Sequence, residues 1–143
     1  MKGIEFAKGF VGLEENKDRT KLMNLFKAQD INFDPAAQPW CAIFITMCER
    51  MAGNTGIKNK DNPAWARNYL NYGTKISEEM ADPGDIVILK RGPSSGHVAY
   101  LVDWDDENRT VILLGGNQGD KVCIRAFPQA AILGIRRPPN GTN

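Results

Sequence analysis

The apolar positions change period a little past the middle of the chain. Between residues 18 and 28, Leu22, Leu25 and Phe26 recur at helical spacing, which predicts a helix over Asp18–Ala28. Residues 3–12 read as a short helix running into Phe10-Val11-Gly12-Leu13-Glu14. Pro35 and Pro39 then break the chain, and Trp40 to Ala52 is apolar nearly throughout, a buried helix stopped by Gly53 and Asn54. Pro63–Leu70 reads as a further helix, with Asn62 as its N-cap and Pro63 at the first helical position. After residue 80 the pattern becomes that of strands. Ile86–Leu89, His97–Trp104, Thr110–Leu114, Lys121–Phe127 and Ile132–Arg136 are short β-rich runs set between turn sequences such as Asp82-Pro83-Gly84-Asp85 and Gly115-Gly116-Asn117. Helices first, then a meander of about five antiparallel strands, predicts an α+β fold. Pro138-Pro139-Asn140-Gly141 reads as a frayed tail.

Composition narrows the classes. A chain of 143 residues, 42% hydrophobic and 24% charged, fits one soluble globular domain spanning 1–143. A formal charge of +1 gives no general pull toward nucleic acid. Lys121, Arg125, Arg136 and Arg137 offer one local basic face for an anionic partner. The longest apolar run, Ala42–Met47, falls far short of the roughly 20 residues of a membrane-spanning helix. Met1–Phe6 lacks the apolar core of a signal peptide, so the chain is expected in the cytoplasm where it is made. Three cysteines exclude a complete disulfide framework. Without a CxxC, and with one histidine, the chain has no zinc set, so neither metal nor cofactor is expected. All three cysteines read as free thiols.

The chemistry lies in two residues far apart in sequence. Cys41 opens the apolar helix after Pro39-Trp40, and the lone histidine, His97, follows Gly96 at the start of a strand. A helix start carries partial positive charge and unpaired N–H groups, both of which favour a thiolate. With an imidazole arriving on a strand, this is the layout of a papain-like thiol hydrolase, and it predicts a thiol that ionises below the free-cysteine value of about 8.5. Such chemistry needs a third polar group to orient the imidazole. Asn117, at the end of the neighbouring strand, fits that position, although it also suits a plain Gly-Gly-Asn turn. Asp120 and Asp103 are poorer alternatives; strand alternation puts Asp103 on the face of His97 but about 20 Å along it. Gly96 leaves room for substrate, and Trp40 is placed to line a groove, so Gln38, Trp40, Gly96 and Gln118 are the candidate substrate contacts. Cys48, two turns deeper in the helix, and Trp65 read as core.

An ordered series of segments carries a resemblance: Val11-Gly12-Leu13-Glu14-Glu15, Pro39-Trp40-Cys41-Ala42-Ile43-Phe44, Ala66-Arg67-Asn68-Tyr69-Leu70, Pro83-Gly84-Asp85-Ile86-Val87-Ile88, Gly96-His97-Val98-Ala99, Leu114-Gly115-Gly116-Asn117-Gln118 and Leu133-Gly134-Ile135-Arg136-Arg137-Pro138. Over nearly the whole chain it resembles the NlpC/P60 and CHAP superfamily of cysteine peptidoglycan hydrolases, and within it the small phage-associated, endolysin-like proteins. The resemblance implies a papain-like core, Cys41 as nucleophile, His97 as base, Asn117 as third residue, and the peptide part of bacterial peptidoglycan as substrate. No wall-binding module is expected beside the catalytic domain. A monomer is expected, delivered to the wall by a holin or a secretion machine, with an inhibitor protein as a further partner. Alternatives are an antibacterial effector amidase, a thiol amidase acting on a small substrate, and a non-catalytic phage protein that keeps the fold.

Overall fold

The computed structural model describes residues 1–139, so Asn140 and Gly141 of the expected tail lie outside the described residues. Three α-helices come first: α1 (Gly3–Lys8), α2 (Arg19–Ala28) and α3 (Cys41–Met51). Six strands follow: β1 (Thr74–Ile76), β2 (Ile86–Arg91), β3 (Ser95–Asp105), β4 (Thr110–Gly115), β5 (Cys123–Pro128) and β6 (Ile132–Arg137). They form one sheet in the order β1-β6-β2-β3-β4-β5, antiparallel at every pairing. The expected α+β fold is present, with one strand more than expected. The extra strand is β1, whose three residues are too few to show a period. The meander holds from β2 to β5, but β6 turns back to lie between β1 and β2.

Strand alternation sorts the core into two clusters. Ile86, Ile88, Val98, Tyr100 and Leu114 face the helices and pack with Phe44, Ile45 and Met47 of α3. Val87, Leu89, Ala99, Leu101, Val111, Leu113 and Ile135 form the second cluster, joined by Ile76 and Phe127. Since all six strands supply residues to that second cluster, the sheet curls around it. α3 is buried from Cys41 through Glu49, which explains why its sequence is apolar on every side. The one charged residue in that stretch, Glu49, accepts hydrogen bonds from the Tyr100 hydroxyl at 2.6 Å, the Tyr72 hydroxyl at 2.7 Å and Asn54 Nδ2 at 3.1 Å.

Several expectations are corrected. The segment expected as a helix from Pro63 is a 3₁₀ helix over Ala66–Asn71, and Asn62 is no N-cap but a left-handed residue with φ 59°. Trp65 is 45% exposed rather than core, its indole N–H donating to the Ser94 carbonyl at 3.0 Å. Half of the expected basic face is spent internally. Arg136 Nε donates to the Tyr72 carbonyl at 2.7 Å, and Arg137 pairs with Asp85 at 2.9 Å and Asp82 at 3.1 Å. Asp103 leaves the face of His97 because the β3–β4 register shifts between Leu101 and Asp103.

Candidate active site

Cys41 is the first residue of α3 and is 3% exposed. The chain reaches it through Trp40, whose ring is fully buried against Phe26 and Phe44. The Trp40 indole N–H donates to Glu15 Oε1 at 2.9 Å. Trp40 therefore anchors the start of α3 from inside the core, and the expectation that it lines a groove is corrected. Backbone N–H groups of Val98, Ala42 and Cys41 itself favour the charged sulfur. The Val98 contact places the thiol beside the peptide that follows His97.

His97 stands on β3 opposite Leu89 of β2 and is 1% exposed. Its ring lies 5.3 Å from that of Phe127, tilted by 31°. Nε2 is 2.9 Å from Gln118 Oε1. The Gln118 amide has one orientation that works: its Nε2 donates to the carbonyls of Cys123 at 2.8 Å and Leu113 at 3.3 Å. Oε1 must then accept, so His97 Nε2 carries the hydrogen. The other ring nitrogen, Nδ1, is buried and without a hydrogen-bond partner among the described residues. The imidazole is thus held as a neutral ring with its basic nitrogen free.

The register of β3 and β4 brings the stretch after Leu114 alongside His97, as expected from the sequence. The residue that reaches the ring is Gln118, however, and not Asn117. Asn117 occupies a left-handed turn position, φ 58°, and its side chain makes no hydrogen bond among the described residues. Gly115 and Gly116 allow this turn to close. A Cβ on Gly115 would lie 2.7 Å from Gln118 Oε1, and one on Gly116 2.7 Å from Trp40. The turn is also braced from outside. Gly12 N–H donates to the Val122 carbonyl, Val122 N–H to Leu13 and Glu15 N–H to Asp120. Asp120 lies in this braced turn, φ 63°, and the imidazole's hydrogen-bond partner is Gln118 instead.

The remaining candidates divide. Gln38 is exposed in the bend before α3. Gly96 leaves no room for substrate, since a Cβ there would lie 2.8 Å from the Leu89 carbonyl oxygen and 3.3 Å from Arg67. Cys48 is fully buried, as expected, and Cys123 donates its thiol to the Gln118 carbonyl at 3.2 Å. Sequence reasoning missed Arg91, whose charge acts on both Cys41 and His97.

The electrostatics favour the neutral form of both Cys41 and His97. Burial pushes the Cys41 thiol above its ordinary value, against the three N–H groups and Arg91. Burial also pulls His97 down to about 4; the Gln118 bond raises it and Arg91 lowers it further. The expected easily ionised thiol is thus corrected, because both groups lie beneath the surface and desolvation outweighs the helix terminus.

A thiol at a helix start, an imidazole on a central strand with one nitrogen locked and the other bare, and a helix-on-sheet α+β fold together define the class of cysteine hydrolases. The CHAP domain family matches residues 33–117, which hold Cys41 and His97, and the chain belongs to that family, of the peptidoglycan-hydrolase type of cysteine amidase and peptidase. No curated protein matches the chain.

Proposed function

We propose that this chain is a cysteine hydrolase that cuts amide bonds in the peptide part of bacterial peptidoglycan, with Cys41 as nucleophile, His97 as base and Gln118 holding the imidazole. The observation that carries this reading is the locked ring: Nε2 donates to Gln118 while the buried Nδ1 has no partner. A bare, fixed ring nitrogen in the core costs free energy unless it has a proton to take.

The reaction follows from the neutral pair. As the Cys41 sulfur attacks the substrate carbonyl carbon, its proton passes to His97 Nδ1. The Gln118 amide oxygen steadies the imidazolium so formed. The carbonyl oxygen gains negative charge at the start of α3, where N–H groups have no intrahelical acceptor. His97 returns the proton to the departing amine, leaving a thioester on Cys41. Water, deprotonated by His97, then releases the acid and restores the thiol. The bond is the lactyl amide to the first alanine, or a peptide or isopeptide bond of the stem or bridge. The resemblance to endolysin-like proteins supports a lytic role from the host cytoplasm, with a holin giving access to the wall.

Two arms test this. Purified protein is incubated with amidase- and endopeptidase-sensitive muropeptides, and the new termini are identified by mass spectrometry. Expression with and without a holin then reports lysis. Cleavage in the glycan strands alone, or lysis equal in wild type and Cys41→Ala, would contradict the reading.

A further inference from the structure

We propose that Arg91 forms a carboxylate-binding subsite beside the reactive pair, selecting acidic stem peptides over their amidated forms. The inference rests on the peptidoglycan reading above and names what the substrate must carry. Arg91 closes β2 and pairs with Ser95, while Leu89 pairs with His97. Alternation puts Arg91 and His97 on one face of the sheet, as diagonal neighbours about 7–8 Å apart.

The backbone around Arg91 is fixed while its charge is free. Ser95 Oγ donates to the Arg91 carbonyl. Arg67 holds the same hairpin through the Ser95 carbonyl at 3.0 Å and the Gly92 carbonyl at 3.1 Å. Trp65 binds the Ser94 carbonyl at 3.0 Å. Arg67 is engaged by the hairpin, and Arg137 is taken up by Asp82 and Asp85. The exposed Arg91 guanidinium has no hydrogen-bond or ion-pair partner among the described residues. Its charge acts on both Cys41 and His97, in line with the register that sets Arg91 diagonally across from His97. A planar guanidinium offers paired N–H donors in the geometry of a carboxylate. Stem peptides carry free carboxylates that an amide can replace without changing shape, so charge alone would set the preference.

The test uses Cys41→Ala, so that binding is read apart from cleavage. Calorimetry compares a cross-linked muropeptide with free carboxylates against the same muropeptide amidated, with Arg91 present, as Arg91→Lys and as Arg91→Gln. The expected result is about tenfold tighter binding of the acidic form with Arg91, a smaller preference with Arg91→Lys, and a ratio near one with Arg91→Gln. A preference unchanged in Arg91→Gln, or equal weakening of both forms, would overturn the subsite. Cleavage by the Cys41-containing chain is measured in parallel. An Arg91-dependent preference without any cleavage would leave the subsite standing and remove the hydrolase; Cys41-dependent cleavage without the preference would do the reverse.

Discussion

Because the Gln118 amide nitrogen is committed to two backbone carbonyls, its oxygen can do only one thing for His97, which is to accept. If His97 is the base, as proposed, Gln118→Ala should lower kcat by roughly 10–100-fold with little change in KM, since the imidazole loses its fixed tautomer but the binding surface stays. Asn117→Ala should keep near-normal kinetics, and steady-state rates on muropeptides separate the two. The buried imidazole also fixes a stability slope. His97 is about 4 when folded against 6.5 when exposed, so between those values the unfolded chain holds more protons. Stability should thus be unaffected by this group above pH 6.5 and fall by about 3 kcal/mol on acidification to pH 4. Denaturant titrations at pH 7 and pH 4 should show this loss, and His97→Asn should lack that share of it. The thiol is the converse case. Alkylation of Cys41 by iodoacetamide should keep accelerating above pH 9, with no plateau near neutrality, because burial raises the thiol above its ordinary value.

The elements of the site were legible to different degrees, for physical reasons. α3 and strands β2 to β6 announced themselves through sustained apolar runs or alternation. The start of α3 at Cys41 was readable from the prolines before it, and the approach of the β4 exit to His97 from antiparallel pairing. Which side chain of that exit meets the ring was not, since a left-handed residue at 117 turns the chain and hands the contact to 118. The 3₁₀ helix at Ala66–Asn71 misled because Asn62-Pro63 imitates an α-helix start, whereas Asn62 is left-handed and Tyr69 is held by Thr46 Oγ1 at 2.6 Å. Nor could the sequence tell Trp40 from a groove residue, because its partner Glu15 lies far away in the chain. The glycine turn offers a test at this scale. Gly116→Ala should destabilise by about 1–3 kcal/mol and slow catalysis, because the added methyl meets Trp40 and Phe44, which pack at the start of α3 beside Cys41. Thermal melts and muropeptide kinetics on the same preparation check both effects.

At the scale of the whole molecule, the proposed catalytic residues are drawn from two halves of the chain. Cys41 comes from α3 and packs in the helix-side cluster, His97 comes from β3 opposite Leu89 of the second cluster, and Gln118 comes from the turn after β4. Cys48 belongs to that core and not to the chemistry. Cys48→Ala should therefore retain activity while losing about 1–3 kcal/mol of stability, whereas Cys41→Ala should fold normally and lose hydrolysis. The proposed cleavage of peptidoglycan peptides runs through Cys41. Its most direct measurement is digestion of purified sacculi by wild type and Cys41→Ala, with released fragments sequenced by mass spectrometry. New amine or carboxyl termini in the stem or bridge peptides are expected with wild type and none with Cys41→Ala. Undigested sacculi with both proteins, or the same fragments from both, would contradict it.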